Sequence, residues 1–361
     1  MPSPATTRLP GLDTLRAVAI LAVMLFHTNG LQPLVLQPLG DFGWMGVDLF
    51  FVLSGYLIGS QLLKPYTRNQ RPSLADFYRR RAFRILPAYL AVLALYCFWP
   101  AWREAPNIAP AWQFLTFTLN LLIDYSHDHA FSHAWSLCVE EHFYLILPIL
   151  TLSLMRRPDS ARTRTRRTAA ILLTLVAAGI ALRAFILIHI LRPIGLESPH
   201  FGPTYIETLY YPTWVRLDAL LAGVTLALLK LFRPAQWSRI AARGHSLLLS
   251  GLALGLAALV ASALSHNGWL ARIRIPGAQL VATLAFSLYL THKEIVHLTR
   301  HALPTLTEDN TWHALPIYAV ACLAGAAILY LAIERPFLQL RDRLDHRREP
   351  IDQELRDEPA L

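Results

Sequence analysis

Apolar runs close to the roughly 20 residues that carry a helix across a bilayer core recur through the chain, at 14–31, 44–63, 85–101, 136–155, 168–191, 214–232, 246–264, 275–298 and 312–333. They leave no room for a separate soluble domain. The pattern predicts an all-α, polytopic transmembrane helical bundle of about ten spans, within a range of about nine to eleven. The first run is followed by FHTNGLQPL with no small-residue cleavage site, and further spans come directly after it, so it is expected to stay as a helix. A shorter run, AWQFLTFTLNLLIDY at 111–125, conflicts with parity. If the basic segments 64–84 and 156–167 both face the cytoplasm, an even number of crossings separates them, so 111–125 is expected to be re-entrant or partly inserted. A membrane domain over 1–340 and a charged, disordered cytoplasmic tail over 341–361 follow, with the N-terminus cytoplasmic.

Composition agrees with the pattern. Of 361 residues 54% are hydrophobic and only 16% charged, with mean hydropathy +0.38, too apolar for a soluble protein of this length. Cys97, Cys138 and Cys322 lie in or beside apolar runs without metal-ligand spacing, which argues against a disulfide framework or a zinc site built on them. The net charge of +9 is concentrated between spans, where it reads as cytoplasmic loops facing anionic lipid and not as a nucleic-acid surface.

Charge inside the spans carries the chemistry. Arg16 and His27 in LRAVAILAVMLFHTN are eleven residues apart with nothing polar between them, so they share a helix face to within about 20° and stand about 16 Å apart along the axis. Ionisable groups at membrane depth normally face a cavity or a partner; the plainer reading is a snorkelling Arg16 and a His27 that ends the helix. Asp48 and Ser54 lie in a span with glycines at 43, 46, 55 and 59, small residues that let helices approach. Trp135, Ser136, Glu140, Glu141, His142 and Tyr144 begin another span, Arg216 and Asp218 a third, and His292, Lys293 and Glu294 sit in a late one. One polar cavity inside the bundle would satisfy them all. HDHAFSH, with His127, His129 and His133, fits neither a helix face nor a familiar zinc pattern, so it is expected to be a solvated loop and no metal is assigned.

In their order along the chain, the Arg16–His27 pair, GVDLFFVLSGYLI, FYRRRAFRILPAY, HAWSLCVEEHFYLILP, RLDALLAG, SLYLTH and IERPF resemble the bacterial integral-membrane acyltransferase family 3, the family of O-antigen, exopolysaccharide and Nod-factor O-acetylases. The likeness runs to about residue 340, with two departures: Thr291 stands where the family often has Trp, and the region 264–275 looks shortened. The resemblance implies an O-acyltransferase of the bacterial inner membrane. It would move an acyl group, most often acetyl, from cytoplasmic acyl-CoA as co-substrate to a hydroxyl of a cell-surface or lipid-linked glycan, with no permanently bound cofactor. Anionic coenzyme A needs cations at the inner surface, and Arg80, Arg81 and Arg84 are the expected donor clamp, the last two forming the family's Arg-x-x-Arg element. His27 is the expected catalytic group with Arg16, and Glu140 its expected partner; His27 would act as a general base or accept the acyl group covalently. Asp48, Ser54, Trp135, Ser136, Glu141, Tyr144 and His292 complete the expected pocket. A rival reading is a transporter or flippase of a glycan or acyl precursor, which would show inverted repeats and paired interrupted helices; neither is visible in the sequence.

Overall fold

The structure is a computed structural model that describes residues 10–155, 161–242, 252–264, 274–307 and 311–345. Among these residues the regular structure is all helical, with one isolated bridge between Ile108 and Ala130 and no strand. The long helices are α1 (Pro10–His27), α2 (Met45–Leu63) and α3 (Leu74–Phe98). Two short ones follow, α4 (Ala111–Leu115) and α5 (Leu119–Leu122), then α6 (Trp135–Met155), α7 (Ala161–Ile186) and α8 (Leu217–Phe232). The chain ends in α9 (Leu252–Leu264), α10 (Ala278–Ala302) and α11 (Ala314–Leu329).

Among the described residues six helical stretches are long and apolar enough to cross a membrane, namely Pro10–His27, Met45–Arg68, Leu74–Phe98, Ser132–Met155, Arg166–Ile194 and Ala314–Asp345. The other three expected spans are helical over most of their described residues, 246–251 lying outside these. Of the three, α8 has 16 residues, α9 is described over Leu252–Leu264, and α10 carries Lys293, Glu294 and Arg300. The last stretch runs on to Asp345, so the tail expected from 341 begins as helix; its residues from 346 lie outside the described ones, as do 156–160 of the basic connector.

Local chemistry explains the element ends. Pro10 opens α1 at a position where its missing N–H costs nothing, and the turn after the helix passes through Gly30 at φ +86°. Ser73 caps α3, its hydroxyl accepting the Asp76 amide at 3.2 Å. The middle of the bundle is α2, apolar on all sides as a fully enclosed helix must be and buried from Gly46 to Leu63 except at a few polar or partly covered positions. It touches α1 and α8 backbone to backbone. A methyl group on Gly46 would stand 2.3 Å from the Ala19 carbonyl, one on Gly55 2.0 Å from the Leu220 carbonyl, and one on Gly223 2.2 Å from the Val52 carbonyl. On the other side of α1 lies α10, which packs in turn on α11.

Segment 111–125 is not one helix. Phe117 takes a left-handed φ of +56° between α4 and α5, and its ring stacks on Tyr89 at 5.0 Å. Phe114 and Phe131 stack at 5.4 Å, Phe131 and Tyr96 at 4.4 Å, and Tyr89 donates to the Phe114 carbonyl at 3.0 Å. Asn120, fully buried, donates to Thr213 Oγ1 at 2.9 Å and to the Tyr211 carbonyl at 3.2 Å. Phe114, Leu119 and Asn120 bury one side of this irregular backbone in protein, which makes it tolerable at membrane depth, while Trp112, Leu115 and Leu122 stay exposed on the other side.

Candidate active site

Two cavities lie along α1, one near each end of the face that carries Arg16 and His27. At the arginine end, Arg16, Arg81 and Arg84 face a cavity together with Ser54, Ser136, Glu140 and Tyr144, while Phe50, Leu57, Ile85 and Phe286 supply an apolar wall. Arg81 and Arg84 come from the second and third turns of α3, three residues apart and on one face. Arg81 lies over the Tyr144 ring at 5.5 Å and donates to Gln61 at 3.3 Å. Arg84 pairs with Glu334 at 3.4 Å. That carboxylate belongs to IERPF, in a π-helical turn over Tyr330–Glu334, and also accepts from Ser287 at 2.8 Å. Glu140 and Tyr144, one turn apart on α6, are joined at 2.5 Å, and Tyr144 meets Ser54 of α2 at 2.5 Å.

At the other end, His27 faces a cavity walled by Phe26, Trp44, Tyr125, Trp135, Tyr210 and Tyr211, with His133 and Lys293 beside it. The Trp135 and Tyr211 rings stack at 4.8 Å and 12°. His27 Nδ1 lies 2.7 Å from His292 Nε2. His292 Nδ1 faces only acceptors, the carbonyls of Leu288 and Tyr289, each at 3.0 Å. For neutral rings this fixes both tautomers: His292 Nδ1 carries its proton, His292 Nε2 accepts, His27 Nδ1 donates, and His27 Nε2 keeps a lone pair. Tyr289 and Val47 border both cavities. The Tyr289 hydroxyl donates to the His133 carbonyl at 2.6 Å and therefore accepts from Ser136 at 2.5 Å.

The acyltransferase-domain family model matches residues 9–331. The chain belongs to acyltransferase family 3. Relatives of this acyltransferase include O-acetyltransferase OatA of Staphylococcus aureus, 31% identical over 235 residues that cover 61% of this chain and 34% of that protein. Another is peptidoglycan O-acetyltransferase OatA of Listeria monocytogenes, 25% identical over 373 residues, 91% of this chain and 55% of its own length. A putative O-acetyltransferase of S. aureus is 30% identical over 234 residues, 61% of this chain and 35% of that one. The chain thus spans about a third to about half of these relatives. No solved structure matches it significantly.

The residues expected in one pocket of this acyltransferase divide between the two cavities. Arg16, Arg81, Arg84, Ser54, Ser136, Glu140 and Tyr144 gather at the arginine end, His27 and Trp135 at the other. The His27 partner is His292, not Glu140, which is engaged by Tyr144 instead. Asp48 borders neither cavity and is ion-paired with Arg216 at 2.6 Å, the guanidinium lying 4.8 Å from the Tyr210 ring. Arg80 turns away from the face shared by Arg81 and Arg84 to Asp345, at 2.9 Å. Glu141 is partly buried, with Oε1 unpartnered.

HDHAFSH is only partly a solvated loop. His127 and His129 are exposed, and His127 holds the exposed Asp124 carboxyl below its ordinary range through a 2.8 Å hydrogen bond, but His133 is buried to 2%. Tyr289, Glu334 and Glu104 border or support the site although the sequence did not single them out, and His133 was expected in a solvated loop. Two motifs carried a signal: IERPF contains Glu334, and in SLYLTH Tyr289 precedes His292 by three positions and so shares its helix face.

Proposed function

We propose that the chain transfers an acyl group, acetyl in the first instance, from acyl-CoA bound at the arginine end to a hydroxyl of a glycan bound at the histidine end. The observation that carries this reading is the pair of chemically opposite cavities meeting at Tyr289. A cationic mouth on an apolar throat suits a polyanionic nucleotide with a flexible acyl-bearing arm. An aromatic chamber suits the alternating apolar and hydroxylated faces of a sugar, since Tyr and Trp offer a flat apolar surface with a polar edge. The O-acetyltransferase names of the relatives support acetyl as the group and oxygen as the acceptor atom.

In this reading the arginine end faces the cytoplasm, where the basic start of α3 meets the inner leaflet, and the N-terminus is cytoplasmic with it. The site acts in the bacterial inner membrane. His27 Nε2 takes the proton of the acceptor hydroxyl as its oxygen bonds to the thioester carbonyl carbon. Collapse of the tetrahedral intermediate breaks the carbon–sulfur bond, and His27 returns the proton to the departing thiolate. His292 holds the ring in the tautomer that leaves Nε2 free. No residue needs to carry the acyl group.

Membranes containing the protein, supplied with acetyl-CoA labelled in the acetyl group, test this directly. Label should enter alkali-labile ester on surface glycan. His27→Ala should lower the rate by about 10²- to 10⁴-fold, the usual worth of a general base, at unchanged expression. Arg81→Gln with Arg84→Gln should raise the donor KM by about tenfold or more, from the loss of charge-assisted hydrogen bonds, and leave the acceptor KM alone. Full activity in His27→Ala defeats the catalytic assignment.

A further inference from the structure

Beside the acceptor chamber lies a group of side chains that acyl transfer does not use. Glu104 of the connection after α3, His133 at the start of α6 and Glu294 of α10 each point one ligand atom at the others, all within 4.8 Å. Glu294 is 0% exposed and His133 2%. Neither carboxylate oxygen of Glu294 and neither ring nitrogen of His133 makes a hydrogen bond of full geometry among the described residues; the Leu290 backbone lies near the His133 ring, and the Glu294 backbone near its own carboxyl. A buried imidazole and carboxylate so weakly satisfied are costly, and a cation that both could ligate would stabilise them.

Glu104, by contrast, is held firmly. Tyr96 donates to Oε2 at 2.8 Å and the Phe131 amide to Oε1 at 3.2 Å, while Lys293 Nζ lies 2.7 Å from Oε1. This is how a ligating carboxylate is oriented by an outer shell. Lys293 balances one carboxylate; the second has no counter-charge within the group.

We infer that Glu104, His133 and Glu294 form a binding site for one divalent first-row cation of the zinc type, which ties the connection after α3 to α6 and α10 beside the acceptor chamber. One imidazole nitrogen and two carboxylate oxygens are a ligand set that zinc accepts, with a fourth position for water. Bonds of about 2.0–2.2 Å require ligand atoms about 3.4 Å apart, which side-chain rotation provides from the present separations. The His133 ring lies 6.1 Å from that of His27 and 5.3 Å from that of His292, so the ion would brace the catalytic pair through the His133 segment without replacing it.

Metal content tests this independently of acyl transfer. The full chain, carrying a non-histidine affinity tag, is purified in detergent, stripped with chelator, equilibrated with zinc and desalted. Mass spectrometry should find about one zinc per chain, and zinc should raise the melting temperature, as any ligand of the folded state does. Glu294→Gln and His133→Gln should each retain the elution position but lose the metal. Zinc at background in the unsubstituted protein overturns the proposal and leaves a hydrated, protonated carboxyl in its place. Undiminished zinc in both variants overturns the location. Should the variants not fold, X-ray absorption at the zinc edge of the unsubstituted protein decides: one imidazole with oxygen neighbours supports the site, and sulfur or several imidazoles refute it.

Discussion

His292 carries the weight that a carboxylate carries in a more familiar arrangement. It fixes which nitrogen of His27 is basic because its own Nδ1 is committed to two carbonyls. A side chain that can still accept at the same place should preserve the tautomer, and one that cannot should lose it. His292→Leu is therefore expected to lower kcat about tenfold or more, the worth of one buried hydrogen bond and its orientation, with donor and acceptor KM little changed. His292→Gln, whose amide oxygen can accept from His27 Nδ1, should recover part of the loss; equal kcat in the two variants would make His292 a packing residue. That His27 and His292 are both candidate site residues was legible, since an imidazole has little reason to sit in a span. That they bond each other was not, because 265 residues separate them and Glu140 was the more obvious chemical partner. Axial rise, not phase, shows why Glu140 misses. It stands seven residues beyond His133, nearly two full turns and about 10 Å along the chain direction, at the far cavity. Phase separates the arginines: Arg81 and Arg84 share a face, while Arg80 is turned by about 100° and meets Asp345.

At the scale of elements, the bundle is set by where backbones may touch. The glycines of α2 mark its contact faces, Gly46 against α1 and Gly55 against α8, and Gly223 returns the contact from α8. This much could be read from the sequence, because small residues in an apolar run have few other uses. The spans themselves were legible for a similar reason: apolar length is a direct physical requirement. Segment 111–125 was harder. Its composition is that of a helix, and its break depends on aromatic stacking by Tyr89 and Phe131 from outside the segment, which no local pattern reveals. The glycine contacts give a stability prediction. Gly55→Val puts a branched side chain where even one methyl would lie 2.0 Å from the Leu220 carbonyl, so α2 and α8 must separate, at a cost of about 1–3 kcal/mol or more. Thermal unfolding in detergent should show a clear drop in Tm. Gly202→Ala, where an added methyl meets nothing within 4 Å, should leave Tm unchanged and serve as the control.

For the molecule as a whole, the proposed reaction has to bring a thioester and a distant hydroxyl together while keeping water from the thioester. The two cavities do not merge into one channel; Tyr289 and Val47 stand between them, and the Tyr289 hydroxyl is pinned to α6 through Ser136 and the His133 carbonyl. A ring whose hydroxyl is fixed by two hydrogen bonds is a partition. In the proposed reaction it would allow a slender acyl group to approach His27 from one cavity while the aromatic chamber presents the acceptor from the other, and it would limit the water that could take the acceptor's place. Removing the ring should therefore change which nucleophile wins more than how well either substrate binds. In Tyr289→Ala the expected result is acetyl-CoA hydrolysis without acceptor, rising relative to ester formation, with the donor KM near its original value because Arg81 and Arg84 are untouched. Release of free coenzyme A, followed with a thiol reagent in the presence and absence of glycan, measures the ratio. Tyr289→Phe keeps the ring but not the hydroxyl and should stay closer to the unsubstituted protein. If Tyr289→Ala loses hydrolysis and transfer together, the ring positions His27 and does not divide the cavities. If it leaves both unchanged, the acyl group reaches the acceptor by a route that does not pass this ring.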